Sequence, residues 1–357
     1  MKQKKRVVLG MSGGLDSSVA AALLKRRGYD VIGITMQLLP KESEKLSACC
    51  NLNSICDAKR VAQQVGIPHY TINIRDTFKK QVIDYFINDY LLGLTPNPCV
   101  ECNRSIKFNE LQTVATDLQA DYIATGHYCQ ITKSTKTNDV FLKKGKDPTK
   151  DQSYFLYMLT QSQLKKTLFP LGGYLKSEIR ALAEKLSLFT AKKAESQEIC
   201  FVTQGNYASF IEKEINKQLL PGHIISTAGT ILGQHKGIHH YTIGQRRGLN
   251  LASETPLYVL KINAKNNTIM VGQKDELSTS TIQLKNISLV NPSNLIGKSF
   301  EIKSRYQMTP FQSRITHLDP KARTMTLQSH SPQTCISPGQ SCVLYKGSKV
   351  IGGGTIL

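Results

Sequence analysis

Two adjacent glycines, Gly13 and Gly14, stand between a strand-like run and a helix-like run, and that junction constrains the chain more than any other feature. Val7, Val8 and Leu9 form a short apolar stretch suited to a buried parallel strand, and residues 19–24 open a strong helix. The glycines let the backbone turn sharply and bring its N–H groups, with the helix N-terminus, close to an anion. The stretch Gly10, Met11, Ser12, Gly13, Gly14, Leu15, Asp16, Ser17 has neither the Lys of a Walker loop nor the spacing of a dinucleotide fingerprint. It predicts a phosphate cradle of another kind.

The first 200 residues alternate strand and helix patterns: strands at 31–36, 69–74 and 121–125, helices at 57–65 and 77–92. Such alternation predicts an α/β fold with a doubly wound parallel sheet. Ligands of these sheets lie beyond the carboxyl ends of the strands, which makes Met36 and Gly126 expected ligand contacts. From about residue 205 short β-rich runs take over, at 230–234, 239–243, 257–262, 268–271, 281–290, 300–306, 311–318, 324–328, 341–345 and 349–357. A small central β-rich domain followed by a C-terminal β-barrel is expected, with domains at 1–204, 205–280 and 281–357.

The 357 residues carry 46 basic against 26 acidic side chains, a formal charge of +20. Residues 1–200 hold 29 against 19 and residues 201–357 hold 17 against 7, so each part is net +10. This spread predicts a broad surface docking on a folded nucleic acid rather than a charged tail. No apolar run approaches the roughly 18 residues that span a bilayer, so no membrane partner and a cytoplasmic location are expected.

In a cytoplasmic chain the nine cysteines are not expected to form a disulfide framework. Cys49, Cys50 and Cys56 fall in a polar loop before a helix, and Cys129, Cys335 and Cys342 read as small buried hydrophobes. Cys99 and Cys102 differ, because Pro96, Asn97 and Pro98 precede them and Asn103 and Arg104 follow. The prolines hold a non-helical approach, and the thiols at a loop-to-helix start are expected to be favoured as thiolates by nearby amides and Arg104.

The lettering SGGLDS resembles the PP-loop of ATP pyrophosphatases, the adenine nucleotide alpha hydrolase-like class, which split ATP between the α and β phosphates. Six segments extend the resemblance to one family, the tRNA-specific 2-thiouridylases: GMSGGLDSS at 10–18, TPNPCVECN at 95–103, ATGHY at 124–128, KDQSYFL at 150–156, SQEICFV at 196–202 and HHYTIGQRRGL at 239–249. The resemblance covers nearly the whole chain. It implies an enzyme that replaces the C2 oxygen of the wobble uridine, position 34, with sulfur. ATP and Mg²⁺ are implied, with Gly10 to Ser17 holding the nucleotide and Asp16 placing the metal. Cys200 is implied to carry a persulfide and Cys102 to be the catalytic nucleophile that frees its sulfur through a disulfide with Cys200. Asn97, Pro98 and Cys99, and Lys150, Asp151 and Gln152, are implied to surround the target base and its neighbours, since a base undergoing ring chemistry must leave the stack. Arg305 and Tyr306, on an expected barrel strand, match a tRNA-contacting pair. The implied partners are the tRNAs for Lys, Glu and Gln and a cysteine desulfurase or sulfur-relay protein, with the enzyme a monomer.

One position departs from many family members, which carry Asp where this chain has Cys99. Cys99, Cys102 and Cys200 are then expected ligands for three irons of a [4Fe–4S] cluster whose fourth iron binds sulfide, a second sulfur route. Zinc would need a fourth ligand, such as His127 or one of Cys49, Cys50 and Cys56. Two other classes compete: an amide-forming ligase with the same loop, which needs no thiols, and a nucleotide-regulated RNA-binding module with a structural metal.

Overall fold

The computed structural model describes residues 4–39, 52–135, 138–194, 199–202, 206–216, 219–334 and 336–357. Its contacts divide into two compact units, one of residues 1–82, 99–205 and 348–350, the other of 83–98, 206–347 and 351–357.

The first unit is built on five parallel strands: β1 (Arg6–Gly10), β2 (Asp30–Gln37), β3 (His69–Asn73), β4 (Tyr122–Ala124) and, after an antiparallel hairpin of β5 (Cys129–Lys133) and β6 (Val140–Lys144), the short β7 (Thr167–Leu168). Their order is β3-β2-β1-β4-β7, so β1 lies inside the sheet with parallel neighbours on both sides. Val7 and Leu9 face a core shared with Val19, Ala20, Ala21, Ala58, Val61, Ile179 and Ala183, from helix α1 (Leu15–Arg26), helix α2 (Leu52–Val65) and the helix Lys176–Lys185. Val8, one residue out of phase, points to the opposite face by the strand's period of two and is also fully buried. The run of Val19 and three alanines suits α1, because small side chains let it lie close on the sheet. Fully burying each Val or Leu of this core contributes about 1.5–3 kcal/mol.

The chain winds outward from β1 through β2 to β3 and then returns to β4 on the other side of β1. The carboxyl ends of β1 and β4 therefore flank the point where the order reverses, the crevice that parallel sheets offer to ligands. Both expected site segments, Gly10 to Ser17 and Gly126, leave the sheet there.

In the second unit β8 (Gly222–Ile225), β9 (Ile231–His235), β10 (Tyr258–Asn263) and β11 (Thr268–Gly272) form a sheet in the order β10-β11-β8-β9 over Ile224, Val259, Ile269 and Val271. The strands β12 (Thr279–Leu289), β13 (Ser299–Lys303), β14 (Phe311–Asp319), β15 (Thr324–Gln333), β16 (Ser341–Lys346) and β17 (Lys349–Ile356) follow in the order β12-β15-β14-β13-β16-β17. Pairing of β12 with β17 closes them into a barrel, which leaves no open edge within the ring. Ile282, Leu284, Ile302, Ile315 and Leu327 are buried at alternate strand positions.

Several local expectations are corrected. Residues 239–243 are not a strand: Ile238–His240 is a short 3-10 turn, with glycines at 237 and 244 in positive φ. The 77–92 helix is broken into Arg75–Phe78, a π-helical stretch Lys79–Ile83, and Asp84–Leu91. A helix, Tyr207–Ile215, opens the region read as all β, with Asn206 accepting from the amides of Ala208 and Ser209 at 3.1 and 3.3 Å as its N-cap. β13 ends at Lys303, which leaves Arg305 and Tyr306 in the turn that follows rather than on a strand. Cys56 lies exposed within α2, not in a loop. Cys129 and Cys342 are fully buried as expected, whereas Cys49, Cys50 and Cys335 lie outside the described residues.

Candidate active site

The glycine loop is held by its own short polar side chains. The Ser12 amide donates to Ser17 Oγ at 3.2 Å, and the hydroxyls of Ser17 and Ser18 return to the Gly14 carbonyl at 3.2 and 2.7 Å. Gly14 is the N-cap of α1 and supplies no side-chain cap, which leaves the first amides of a 12-residue helix directed at the loop. Gly13 has φ +68°, and a β-carbon there would fall on the Ser54 carbonyl. Gly126 is tight for a different reason: a β-carbon would sit 3.0 Å from the Ser17 amide, so the turn after β4 lies close on the start of α1.

Asp16 is the charged centre of this loop. Its Oδ1 accepts from Lys176 Nζ and from the Tyr128 hydroxyl, both at 2.7 Å, and the ammonium lies 5.3 Å from the Tyr128 ring centroid. The Lys176 side chain is only 11% exposed and that of Asp16 35%, so the cation is pre-placed beneath a carboxylate that solvent still reaches. A second lysine, Lys193, donates to the Gly13 carbonyl at 2.9 Å and to Asp57 at 2.6 Å. Neither lysine has a local sequence signal; each is brought to the loop from more than 150 residues away.

Gln152 holds Tyr128 from both sides: its Oε1 accepts from the Tyr128 amide at 2.9 Å, and its own amide donates to the Tyr128 carbonyl at 3.0 Å. Asp151 is buried, with Oδ1 taking the Gly145 and Ser153 amides at 3.0 and 3.1 Å and Oδ2 the Ser153 hydroxyl at 3.0 Å. This carboxylate fixes a turn, and Lys150 precedes it with its amide on the Asp147 carbonyl at 3.2 Å. Met36 sits near the end of β2 opposite Ile72, partly exposed.

Pro98 starts a single helical turn, Pro98–Glu101, at the position where a missing N–H costs nothing. The chain continues as a π-helical turn, Cys102–Lys107, closed by the Phe108 amide on the Asn103 carbonyl. Cys99 is exposed, Cys102 is 6% exposed and Cys200 is partly exposed. Burial pushes the Cys102 thiol up to about 12; Lys107 pulls against that, while Cys200, Cys99 and Glu101 add to it. Cys99 and Cys200 thus both lie within electrostatic reach of Cys102. For Cys102 the expectation of a resting thiolate is overturned: burial outweighs the nearby cation, and Arg104 is engaged with Glu101 at 2.8 Å. Lys107, which carries no motif signal in the sequence, is a cation within electrostatic reach of Cys102.

His127 follows the same turn as Gly126. Its Nδ1 pairs with the Thr125 hydroxyl at 2.8 Å, and its ring lies between Phe108 and Phe169 at centroid distances of 6.2 and 6.4 Å. The residue is partly exposed, and desolvation among these rings, aided by Lys107, holds the imidazole neutral with a pKa of about 3.

In the second unit, Asn97 and Pro98 end the stretch 83–98. Arg305 donates from Nη2 to Ser337 Oγ at 2.5 Å and to the Ile243 carbonyl at 3.4 Å, so part of its guanidinium fork is engaged within the protein.

Three family models match in succession: a tRNA methyl transferase HUP domain over residues 5–204, a tRNA methyl transferase PRC-barrel domain over 208–273 and an aminomethyltransferase beta-barrel domain over 279–356. Full-length relatives carry the name tRNA-specific 2-thiouridylase MnmA. One from Geotalea uraniireducens is 48% identical, with 99% of this chain and 95% of that protein covered. One from Thermoanaerobacter sp. is 46% identical, with 100% and 99% covered, and one from Acetivibrio thermocellus is 44% identical, with 99% of each covered.

Proposed function

The chain belongs to the tRNA-specific 2-thiouridylase family and is a tRNA-uridine 2-sulfurtransferase, and on that premise we propose that it activates the wobble uridine with ATP and delivers sulfur from a Cys200 persulfide. The observation that carries this reading is the gathering of Cys99, Cys102 and Cys200 in the same compact unit as the glycine loop and its lysines. An amide-forming ligase has no use for that thiol group.

A uracil C2 oxygen is a poor leaving group. Attack of O2 on the α-phosphate expels pyrophosphate and leaves AMP on the base; the loop amides and α1 then face the charge that develops on the phosphates, and Lys176 and Lys193 add positive charge nearby. Asp16 fits Mg²⁺, which prefers oxygen ligands and keeps several waters, because its carboxylate is reached by solvent at the loop. The ion would neutralise phosphate charge.

Cysteine desulfurase or a relay protein loads Cys200. The terminal persulfide sulfur then attacks C2, the C2–O bond breaks and AMP leaves. Cys102 attacks the Cys200 sulfur, a Cys102–Cys200 disulfide forms, and the electron pair of the broken S–S bond stays on the sulfur now bound to C2. An external thiol reductant restores the pair with two electrons. Asn97 to Cys99, Lys150 to Gln152, Arg305 and Tyr306 contact the tRNAs for Lys, Glu and Gln, in an arrangement where 1–204 is catalytic, 205–280 central and 281–357 the tRNA-contacting barrel. The enzyme acts as a cytoplasmic monomer.

The exposed Cys99, one helical turn from Cys102, supports a second reading. Cys99, Cys102 and Cys200 would hold a [4Fe–4S] cluster, whose open iron would supply sulfide. Anaerobic purification with iron and sulfide analysis separates the routes: full activity in iron-free protein excludes the cluster. The function itself is tested by incubating the chain with ATP, a sulfur source and unmodified tRNA, then weighing the wobble nucleoside. Cys102→Ala and Cys200→Ala are each expected to release pyrophosphate but form no 2-thiouridine. Thiolation by either variant at the native rate would sink the persulfide mechanism.

A further inference from the structure

The second unit contains a side-chain cluster that the thiolation chemistry does not use. Glu212, on the helix Tyr207–Ile215, receives two imidazoles on one oxygen: His239 Nε2 lies 3.0 Å and His240 Nε2 3.1 Å from Oε1. The three ligand atoms lie within 4.8 Å of one another, and among the described residues no other group of three His, Cys, Asp or Glu side chains converges so closely. Consecutive residues seldom turn their rings to one point. Here the tight 3-10 turn Ile238–His240 sets the two rings 4.3 Å apart at 48°.

The turn is shaped for this. Gly237 has φ +129°, and a β-carbon there would lie 2.5 Å from His239 Cε1, so the glycine clears the space that the ring fills. His239 is fully buried and its Nδ1 has no hydrogen-bond partner. Packing and the Nε2 contact, rather than a second hydrogen bond, therefore fix the ring.

We propose that Glu212, His239 and His240 form a binding site for a divalent transition cation of the zinc class. Two imidazole nitrogens and one carboxylate oxygen are a borderline-soft set that suits zinc, cobalt or nickel over magnesium or calcium. A four-coordinate ion with bonds of about 2.0–2.1 Å keeps its ligand atoms roughly 3.3 Å apart, so both His–Glu separations need to open by only a few tenths of an ångström. Glu212 and His240 are 36% and 28% exposed in their side chains, which leaves the fourth position to water from the solvent side. The ion would pin the helix Tyr207–Ile215 to the turn that begins HHYTIGQRRGL.

Thiolates would compete for such an ion, so the test uses the full chain with Cys49, Cys50, Cys56, Cys99, Cys102 and Cys200 changed to Ser, stripped with chelator and titrated anaerobically with CoCl2. One equivalent of Co²⁺ is expected to bind with visible d–d absorption, without the near-ultraviolet charge transfer of a cobalt–thiolate bond, to be displaced by ZnCl2 and to raise the melting temperature. Glu212→Gln, which keeps an acceptor oxygen, and His240→Gln, on a partly exposed ring, are each expected to weaken binding at least tenfold. Circular dichroism checks that each is folded, and either variant alone suffices if the other is not. No saturable binding, binding unchanged in the folded variant, or a thiolate charge-transfer band would overturn the site.

Discussion

At the scale of the residue, the chemistry turns on which charges are already paired before substrate arrives. Lys176 is held on Asp16 at 2.7 Å with little exposure, so it presents a cation to the loop without a conformational search. Lys176→Met leaves Asp16 without its ammonium. Because the pair is only partly shielded, the expected stability loss is about 1–2 kcal/mol, well short of that for a deeply buried pair. The loss of phosphate stabilisation should be larger, on the order of 10²-fold in kcat for pyrophosphate release. A melt and a pyrophosphate assay on one preparation check both; unchanged kcat would remove Lys176 from the machinery. Cys102 makes a second prediction. A thiol at about 12 is almost wholly protonated at neutral pH, and its thiolate fraction rises tenfold for each pH unit below that value. Single-turnover formation of the Cys102–Cys200 disulfide, from enzyme loaded with persulfide and activated tRNA, should therefore accelerate about tenfold per unit between pH 7 and 9. A flat profile would mean that substrate binding first lowers the thiol.

At the scale of the element, what was legible in the sequence is what local pattern encodes. The run from Val7 to Leu9, the Gly13–Gly14 turn and the alanine-rich helix predicted β1, the loop and α1, because burial on both faces and small-residue packing leave a direct trace in composition. The barrel strands were legible from a different trace, the alternation that buries Ile282, Leu284, Ile302, Ile315 and Leu327 on one face. The π-helical turn carrying Cys102 was not: such single-turn insertions are rare, and the apolar pattern that fully buries Ile106 and Phe108 does not distinguish one from an ordinary helix. Nor was the pairing of Lys176 with Asp16, 160 residues apart, or the turn at His239, where alternating polarity imitated a strand. The turn after β4 also sets a pH dependence. His127 titrates near 3 when folded and near 6.5 when unfolded, so below pH 6.5 the unfolded chain takes up a proton that the folded chain refuses. Stability should fall by about 1.4 kcal/mol per pH unit from this group between 6.5 and 3, and be unaffected by it above 6.5. Urea unfolding of wild type and His127→Asn at pH 7, 6 and 5 isolates the term; equal losses in both would show that the imidazole is not held neutral.

At the scale of the whole molecule, the charge of +20 divides evenly between residues 1–200 and 201–357, which is the distribution a long polyanion exploits. Local pairing does not consume it: Lys146 and Glu178, Arg6 and Asp30, and Arg104 and Glu101 each neutralise one another, yet basic side chains outnumber acidic ones by 20. A tRNA that docks on such a surface displaces condensed counterions, and each neutralised phosphate contributes about −0.7 to −0.9 to the slope of log affinity against log salt. Contacts to on the order of five phosphates would weaken binding about 10²-fold between 50 and 200 mM salt. ATP binding to the small glycine loop involves far fewer displaced ions and should change much less over the same range. Filter binding of unmodified tRNA and equilibrium dialysis of ATP, run in parallel at four salt concentrations, give the two slopes. A steep slope for tRNA beside a shallow one for ATP assigns the excess charge to RNA docking. Two equally shallow slopes would mean that shape and base contacts hold the tRNA, and that the basic surface serves some other polyanion.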